Sequence, residues 1–300
     1  MTRQELLKRL TKVEQLATGS RLDRLINAPF KYLLATFYDK LIYGWRKRPL
    51  PRVAETFYGS SLRVDLPAGT DVYLTGGKTH ISELRLARFL LQELKAGMSY
   101  VDVGAHYGYF AGLAAAIKGI DSVIAFEPTP TTLKLLRQNL HHTIVDIRGQ
   151  GLADQSGNLQ FYVFPERYSE YNSFDVDQYI KEDWFQQFPP RQVHVLVSTL
   201  DKELTRAPDI LKIDVEGAEY RVIQGGASIL KKKETTLIIE FLAPQRSNSP
   251  HLQAAKLLWS WGYISFNLTD QGELEACPNP TQWLAETEQD SMNLVFKPGP

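Results

Sequence analysis

The chain has 300 residues, of which 43% are apolar, and its 34 Lys or Arg residues balance 34 Asp or Glu residues. This length and composition predict a chain that buries a large core, and they exclude disordered and collagen-like proteins. The single cysteine, Cys277, excludes an internal disulfide and a multi-cysteine metal site, and it favours a reducing compartment.

The net charge of zero conceals two oppositely charged parts. Residues 1–52 contain twelve Lys or Arg residues and four Asp or Glu residues, a net charge of +8, so residues 53–300 carry −8. No apolar run approaches the roughly 18 residues of a membrane-spanning helix, and no signal-peptide pattern follows the start. We therefore expect a cytoplasmic protein, peripheral to the membrane at most, whose two parts face different partners.

Residues 1–52 predict a basic, amphipathic helical extension. One helix is expected near residues 2–17 and a second near 22–26, before Pro29. Eight apolar residues then recur at helical spacing: Phe30, Leu33, Leu34, Phe37, Tyr38, Leu41, Ile42 and Trp45. Such a face usually packs on the main domain or on a second subunit, whereas its aromatic and basic character also suits an anionic membrane surface. Dimerisation and peripheral membrane contact through residues 30–48 thus both remain open.

The segment 53–80 predicts a small β-hairpin lobe, in which SLRVDLP and DVYL form strands around a turn at residues 67–69. A helix is expected at residues 82–94. Strand-like and helical runs then alternate, which predicts an α/β domain over residues 81–300 with a parallel sheet covered by helices. The last two strands, YISFNL and MNLVFK, have no clear helix between them and predict an antiparallel hairpin at the sheet edge.

The segment from Pro165 to Arg191 is too long for an ordinary connection and predicts a lid or an acceptor-recognition insert. It is rich in aromatic residues. Tyr168, Tyr171 and Trp184 either stack on sugar rings or pack the insert onto the domain, and the pattern alone leaves both open.

The first strand of the α/β domain leads into a glycine-containing turn, YVDVGAHYG, over residues 100–108. Ligands of open α/β sheets bind beyond the carboxyl ends of the strands, and Gly104 and Gly108 permit close approach of the backbone. His106 replaces the second glycine of the dinucleotide-binding pattern, and Asp102 would repel a phosphate. Both features favour a cationic cofactor such as S-adenosylmethionine over NAD.

Two further acidic residues follow neighbouring strands. Glu127 ends the second strand, 25 positions after Asp102, where a carboxylate can accept hydrogen bonds from both ribose hydroxyls. Both NAD enzymes and methyltransferases use an acidic residue at this point. Asp154, after the third strand, either accepts a hydrogen bond from the adenine amino group or forms a turn.

Three stretches together resemble the FkbM family of S-adenosylmethionine-dependent methyltransferases: YVDVGAHYGYF, the AFEP of residues 125–128, and the KIDVEGAE of residues 212–219. The resemblance covers roughly residues 81–296. It implies a Rossmann-like class I methyltransferase fold with a seven-stranded sheet in the order 3-2-1-4-5-7-6, and O-methylation of an acceptor. Members of the family commonly carry Asn where this chain has His106. The resemblance and the surrounding motifs assign cofactor binding to Asp102, Gly104, His106, Tyr107, Gly108, Glu127, Pro128, Asp154 and Asp214.

The KIDVEGAE run places charged residues at the end of a buried strand, where they are costly unless they are paired or used. Lys212 could pair with a carboxylate in a purely structural network. In the functional interpretation, Asp214 is the base or orienter of an acceptor hydroxyl, and the other candidate catalytic residues are Lys212, Glu240 and His80. Asp214 and Glu240 could also hold a divalent cation, but without a clear third ligand we expect no metal.

Together with these motifs, the resemblance implies an O-methyltransferase that acts on a hydroxyl of a small molecule, sugar, glycan or glycolipid and releases S-adenosylhomocysteine. The alternatives are a catalytically silent cofactor-binding protein that recruits a partner, and an NAD-dependent oxidoreductase, which the glycine pattern disfavours. A nucleic-acid substrate is not expected. The IDVEG sequence lacks the Pro-Pro-aromatic motif of nucleic-acid methyltransferases, and the main part of the chain is acidic.

Overall fold

The structure is a computed structural model that describes residues 1–180, 182–246 and 248–299. The α-helices are α1 (Arg3–Thr18), α2 (Arg21–Asn27), α3 (Pro29–Phe37), α4 (Gly44–Arg46), α5 (Thr70–Thr75), α6 (Ile81–Glu93), α7 (Tyr109–Ala115), α8 (Pro130–Leu140), α9 (Leu200–Glu203), α10 (Glu219–Gln224), α11 (Ala227–Leu230), α12 (Ser249–Ser260) and α13 (Pro280–Thr287). A π-helical turn, Tyr38–Tyr43, joins α3 to α4, and 3-10 turns occur at Glu166–Tyr171, Asp177–Tyr179 and Pro244–Arg246.

The strands are β1 (Leu50–Glu55), β2 (Ser61–Leu66), β3 (Ser99–Val103), β4 (Ser122–Phe126), β5 (Val145–Arg148), β6 (Gly151–Leu152), β7 (Gly157–Val163), β8 (Arg191–Ser198), β9 (Ile210–Ile213), β10 (Thr236–Leu242), β11 (Tyr263–Leu268), β12 (Leu274–Ala276) and β13 (Ser291–Pro298). They form a main sheet, a three-stranded sheet in the order β6-β8-β7 and the β1-β2 hairpin.

The main sheet has eight strands in the order β12-β11-β13-β10-β9-β3-β4-β5. Strands β5, β4, β3, β9 and β10 are parallel, whereas β13, β11 and β12 add antiparallel pairs. The prediction of seven strands is therefore wrong in count, because β12 extends the edge beyond β11. The remaining seven strands keep the neighbours that the predicted order gives them.

The centre of the sheet is apolar because helices cover both of its faces. Every residue of β3 and β9 is buried, as expected for parallel strands that are covered on both sides. One core cluster joins one face of the sheet to α1, α6, α7 and α8, and a second joins the other face to α10, α11, α12 and α13. The layers therefore leave the carboxyl ends of β3, β4, β9 and β10 free to build a site.

Three local predictions need correction. The small hairpin pairs β1 with β2, with Leu50 opposite Leu66. DVYL is not a strand but part of α5, which begins after Gly69 and is followed by the left-handed Gly76. The predicted alternation would place β7 and β8 in the main sheet, whereas they pair with each other and β8 also pairs with β6. The last two strands are antiparallel neighbours, as predicted, but both β12 and α13 lie between them in the chain.

The basic extension packs on the domain through only part of its apolar surface. Helix α1 buries Leu6, Leu10, Val13 and Leu16, and its Glu14 lies 2.5 Å from Arg88 of α6. In the predicted face of residues 30–45, Tyr38 is buried, whereas five of the eight apolar side chains are exposed: Phe30, Leu33, Phe37, Leu41 and Trp45. Among the residues that the structure describes, no helix is long and apolar enough to cross a membrane.

Candidate functional site

Two adjoining cavities lie at the carboxyl ends of β3, β4, β9 and β10. The wide cavity has a volume of about 230 Å³ and includes Lys78, His80, Glu240 and Arg246 in its lining. The narrow cavity has a volume of about 50 Å³ and includes Glu127, Pro128 and Gly151. Both cavities share the same boundary residues: Gly104, His106, Glu170, Asp214 and Glu216.

His106 lies in the turn between β3 and α7 and borders both cavities. Its backbone is left-handed, with φ of 50°, a conformation that Asn and His adopt more readily than most residues. His106 is therefore one of the residue types that tolerate this backbone conformation. Burial, together with the nearby charge of Lys78, lowers the pKa of His106 to about 3. The imidazole is therefore neutral near pH 7, and its Nε2 lies 3.1 Å from Ser169 Oγ of the insert.

Glu127 directly follows β4 and lies one βαβ step from this turn, where the sequence places it. Its Oε2 accepts a hydrogen bond from the backbone N–H of His106 at 3.0 Å, and its Oε1 accepts one from Thr129 at 2.9 Å. Burial raises the pKa of Glu127 to about 7, although these hydrogen bonds oppose the effect. The two backbone donors fix the carboxylate in the narrow cavity while each oxygen keeps acceptor capacity.

Lys212 of β9 forms a buried ion network with two aspartates. Its Nζ lies 2.9 Å from Asp214 Oδ2 and 3.5 Å from Asp102 Oδ1. Burial acts to lower the pKa of Lys212, but attraction to Asp214 and Asp102 outweighs burial and raises it. Lys212 is therefore protonated near neutral pH and is the countercharge of both aspartates.

Asp102 is only 1% exposed and lies below the turn, outside the lining of both cavities. Burial raises its pKa, an effect that Lys212 opposes. The structure thus places Asp102 against Lys212 and not at the surface where a cofactor would contact it.

Asp214 stands at the boundary of the two cavities, and its side chain is 34% exposed. Burial acts to raise its pKa, but the charge and hydrogen bond of Lys212 outweigh burial and lower it. Asp214 is therefore ionised near pH 7. An anionic oxygen at this point can orient a hydroxyl group by accepting a hydrogen bond from it.

Glu216 is a site residue that the sequence reasoning did not select, although it follows Asp214 by two positions. Its backbone is left-handed, with φ of 55°, and the Tyr179 hydroxyl donates a hydrogen bond to its carboxylate. Burial and repulsion from Asp214 raise the pKa of Glu216 to about 8. Glu216 can therefore exchange a proton near neutral pH, which a carboxyl group with an ordinary pKa does poorly.

Glu240 of β10 joins these two carboxylates, with oxygens of Asp214, Glu216 and Glu240 all within 4.8 Å of one another. The structure thus supplies a third carboxylate, which the sequence-based argument against a metal did not include. Burial and repulsion by Glu216 raise the pKa of Glu240 well above its usual value. Within the described part of the chain, Glu240 Oε2 is buried without a hydrogen-bond partner.

The wall of the wide cavity is strongly polar. Lys78, which the sequence did not indicate, lies 2.8 Å from Glu83 and 3.9 Å from Glu170. His80 lines this cavity, as its candidate catalytic role requires, and its Nδ1 lies 2.8 Å from Ser82 Oγ. These groups offer donors and acceptors to a ligand that carries several hydroxyls.

Glu219 of the KIDVEGAE run is an anchor and not a cavity residue. It is fully buried, and its carboxylate accepts hydrogen bonds from the backbone N–H groups of Val215 at 3.0 Å and Gly217 at 3.1 Å. His251 Nδ1 lies 3.4 Å from it. These contacts fix the loop that carries Asp214 and Glu216.

Three other residues expected at the cofactor lie outside both cavities. Asp154 is on the surface, where Arg221 Nε donates to it at 2.8 Å, so the structure does not support its adenine contact. Tyr107 is buried with its ring 4.8 Å from that of His106. Gly108 faces the core, because a β carbon there would stand 2.6 Å from Leu136 Cδ1.

The insert after β7 closes over both cavities. Ser169, Glu170, Asn172 and Phe174 line the narrow cavity. The ring of Tyr168 stacks on Trp184 at 4.1 Å, and Tyr171 stacks on the same indole at 5.4 Å. The structure thus favours packing as the role of these rings, although Tyr171 also lines the wide cavity.

Comparison with solved structures gives low identities and modest superpositions. A methyltransferase FkbM from Methylobacillus flagellatus is 19% identical with a TM-score of 0.44, and the match covers 76% of this chain but 52% of that one. A precorrin-6y C5,15-methyltransferase from Geobacter metallireducens is 14% identical, with a TM-score of 0.41 and coverages of 73% and 88%. Fibrillarin from Aeropyrum pernix, in complex with S-adenosyl-L-methionine, is 13% identical, with a TM-score of 0.40 and coverages of 71% and 73%.

The chain thus spans about half the length of the Methylobacillus protein. A search of curated protein sequences gave no significant match. The family comparison is decisive, since the model of the methyltransferase FkbM domain matches residues 102–265, more than half of the chain. This range contains the turn after β3, Glu127 and the KIDVEGAE loop. On this match, the chain is a member of the FkbM methyltransferase family.

Proposed function

We propose that this protein transfers a methyl group from S-adenosylmethionine to a hydroxyl of a small molecule, sugar or glycan. The observation that carries the proposal is the meeting of the two cavities at Asp214 and Glu216. A cofactor in the narrow cavity and an acceptor in the wide cavity would face each other across these carboxylates. Such alignment supplies much of the acceleration of an in-line displacement.

The charge of the narrow cavity fits this cofactor. Its described lining contains four acidic side chains, Glu127, Glu170, Asp214 and Glu216, and no Lys or Arg, and Asp214 among them is ionised near pH 7. This set suits a sulfonium cation and a ribose diol, whereas it would repel the pyrophosphate of NAD. The bound cofactor supplies the electrophilic methyl group. Glu127 would hold the ribose, with its carboxylate already fixed by two backbone donors.

The size of the narrow cavity predicts that the insert moves. A volume of about 50 Å³ is too small for a nucleoside, because ligand cavities usually measure some hundreds of cubic ångströms. Asn172 and Phe174 belong to the insert and form part of the lining. Cofactor entry therefore requires the insert to open, as lids do in many enzymes.

The wide cavity suits a polar acceptor. Asp214, ionised by its contact with Lys212, would orient the acceptor hydroxyl, and Glu216 has a pKa suited to accept its proton. Lys78, Arg246 and Asn293 add further hydrogen-bond donors around it. A sugar or another polyol matches this lining better than an apolar ring does.

Calorimetric titration of S-adenosylhomocysteine and of NAD tests the cofactor. Binding of S-adenosylhomocysteine alone supports the proposal, whereas binding of NAD alone overturns it. A second assay follows radiolabelled methyl transfer from S-adenosylmethionine to sugars and other hydroxylated acceptors, with mass spectrometry to locate the methyl group. Methylation at a nitrogen, or at a carboxylate to give a methyl ester, would contradict methylation of a hydroxyl. Cofactor binding with no transfer to any acceptor would favour a silent binding protein.

A further inference from the structure

The helical segment 29–46 presents an apolar face to solvent. This face, called the exposed apolar face below, consists of Phe30, Leu33, Phe37, Leu41 and Trp45. The intervals of three and four residues place the five side chains along one side of a continuous helical segment. Phe30 is 87% exposed and Trp45 is 86% exposed. Contiguous apolar surfaces of this kind on a folded chain mark sites of interaction.

The other side of the same segment is held on the domain, so the exposed apolar face has a defined orientation. Ala35, Tyr38 and Tyr43 are buried. The Tyr43 hydroxyl accepts a hydrogen bond from the backbone N–H of Arg167 at 3.2 Å, and the Arg167 side chain lies 2.6 Å from Asp39. These contacts leave the face available to a partner without unfolding the segment.

The charge around the face is strongly positive. Residues 20–48 contain seven Lys or Arg residues and two acidic residues, Asp23 and Asp39. Asp23 caps α2 through Ser20, and Asp39 pairs with Arg167. Arg46 and Arg48, at the end of the segment, are exposed. The positive charge of the segment is therefore only partly compensated.

We propose that the exposed apolar face docks on an anionic lipid bilayer, with its aromatic side chains at the headgroup level. A helix with Trp and Phe on one face and basic residues beside it fits this boundary. Anionic headgroups complement the positive charge. A two-fold dimer through this face would instead bring two equally basic segments together, and such like-charge contacts are unfavourable.

The helical segment 29–46 lies next to the insert that covers the two cavities. A groove beside α3 is lined by Tyr32, Thr36 and Lys40 of this segment and by Glu170 and Tyr171 of the insert. Glu170 and Tyr171 also line the wide cavity. Docking would therefore bring the insert and the wide cavity close to the lipid headgroups.

Flotation of the full chain with vesicles tests the proposal without any methyl transfer, so its result is independent of the proposed function. We expect binding to phosphatidylcholine vesicles that contain about 30 mol% phosphatidylglycerol, and weaker binding to phosphatidylcholine alone. The variant F30S/F37S/W45S should bind at least about tenfold more weakly. The variant R46Q/R48Q should lose part of its preference for the anionic vesicles.

The matched control is I144S/L196S/I264S, which removes three exposed apolar side chains elsewhere and should bind like wild type. Circular dichroism of each variant confirms that it is folded. The proposal is overturned if wild-type protein does not bind the anionic vesicles. It is also overturned if F30S/F37S/W45S binds them as strongly as wild type does. Sedimentation velocity without lipid provides another test, since a dimer that dissociates on this triple substitution would assign the face to a second copy.

Discussion

A β carbon on Gly104 would stand 1.8 Å from the carbonyl oxygen of Asp214, so the turn after β3 and the loop after β9 touch backbone to backbone. The N–H of Asp214 also donates to the carbonyl of Val103 at 3.0 Å. These contacts fix Asp214 at the boundary of the two cavities. Gly104 also lines both cavities, as its predicted contact with a cofactor requires, and the neighbouring loop gives a second reason for glycine at this position.

Gly104→Ala should destabilise the fold by roughly 3 kcal/mol, since the new β carbon clashes with backbone and φ is +83°. Gly97→Ala is the matched control, because Gly97 has φ of +85° but no atom of the described residues lies within 4 Å of its β-carbon position. Its cost should be only about 1 kcal/mol. Urea denaturation measures both changes, and equal losses would show that backbone strain alone accounts for the effect.

Glu127→Gln should weaken S-adenosylhomocysteine binding by at least about tenfold, because the amide keeps the shape of the side chain but loses its anionic acceptor. Asp154→Asn should leave the affinity unchanged, since Asp154 contacts Arg221 outside the cavities. Calorimetric titration of both variants compares the two positions. If Asp154→Asn lost affinity for S-adenosylhomocysteine and Glu127→Gln did not, Asp154 would contact the adenine after all and Glu127 would not bind the ribose.

Lys212→Met should destabilise the protein by about 3–5 kcal/mol, because it leaves the buried carboxylate of Asp102 without a countercharge. The double variant D102N/K212M should recover part of this loss, since the uncompensated charge is then removed. Chemical denaturation of both variants and wild type measures the recovery. If the double variant is less stable than K212M, the loss in K212M does not come from an uncompensated charge on Asp102.

Glu216 should make the fold less stable as the pH rises. The pKa of Glu216 is raised from 4.5 to about 8, so the folded state holds this proton over a range in which the unfolded state has released it. The free energy of unfolding therefore falls between about pH 4.5 and pH 8. Glu216→Gln should remove this pH dependence. We expect the change in the free energy of unfolding to reach about 2 kcal/mol, after allowance for the partial exposure of the Glu216 side chain.

Thermal melts of wild type and Glu216→Gln at several pH values between these limits measure the difference. The variant should gain stability relative to wild type as the pH increases. A constant difference would mean that Glu216 is ionised throughout. If Glu216 also takes the proton of the acceptor hydroxyl, the rate of methyl transfer by wild type should rise with pH, with an apparent pKa near 8. Glu216→Gln should lack that rise.

The elements that sequence predicts well are those whose pattern reflects burial on both faces of the sheet. The apolar runs of β3 and β9 and the acidic residues after strands locate the cleft, because the carboxyl ends of parallel strands share one edge. Short segments are predicted poorly. DVYL alternates for only four residues, and contacts with the rest of the chain place it in the helix α5.

The sequence by itself determined the α/β architecture, the family and the positions of Glu127 and Asp214, because strand period and strand-end residues are local properties of the chain. Only the tertiary structure decided which charged groups meet. It buries Asp102 against Lys212, sends Asp154 to Arg221 on the surface and brings Glu216 to within 4.8 Å of Glu240. It also leaves Phe30 and Trp45 exposed. Pairing and burial depend on residues far apart in the chain, and a helical repeat shows that a face is apolar without showing what covers it.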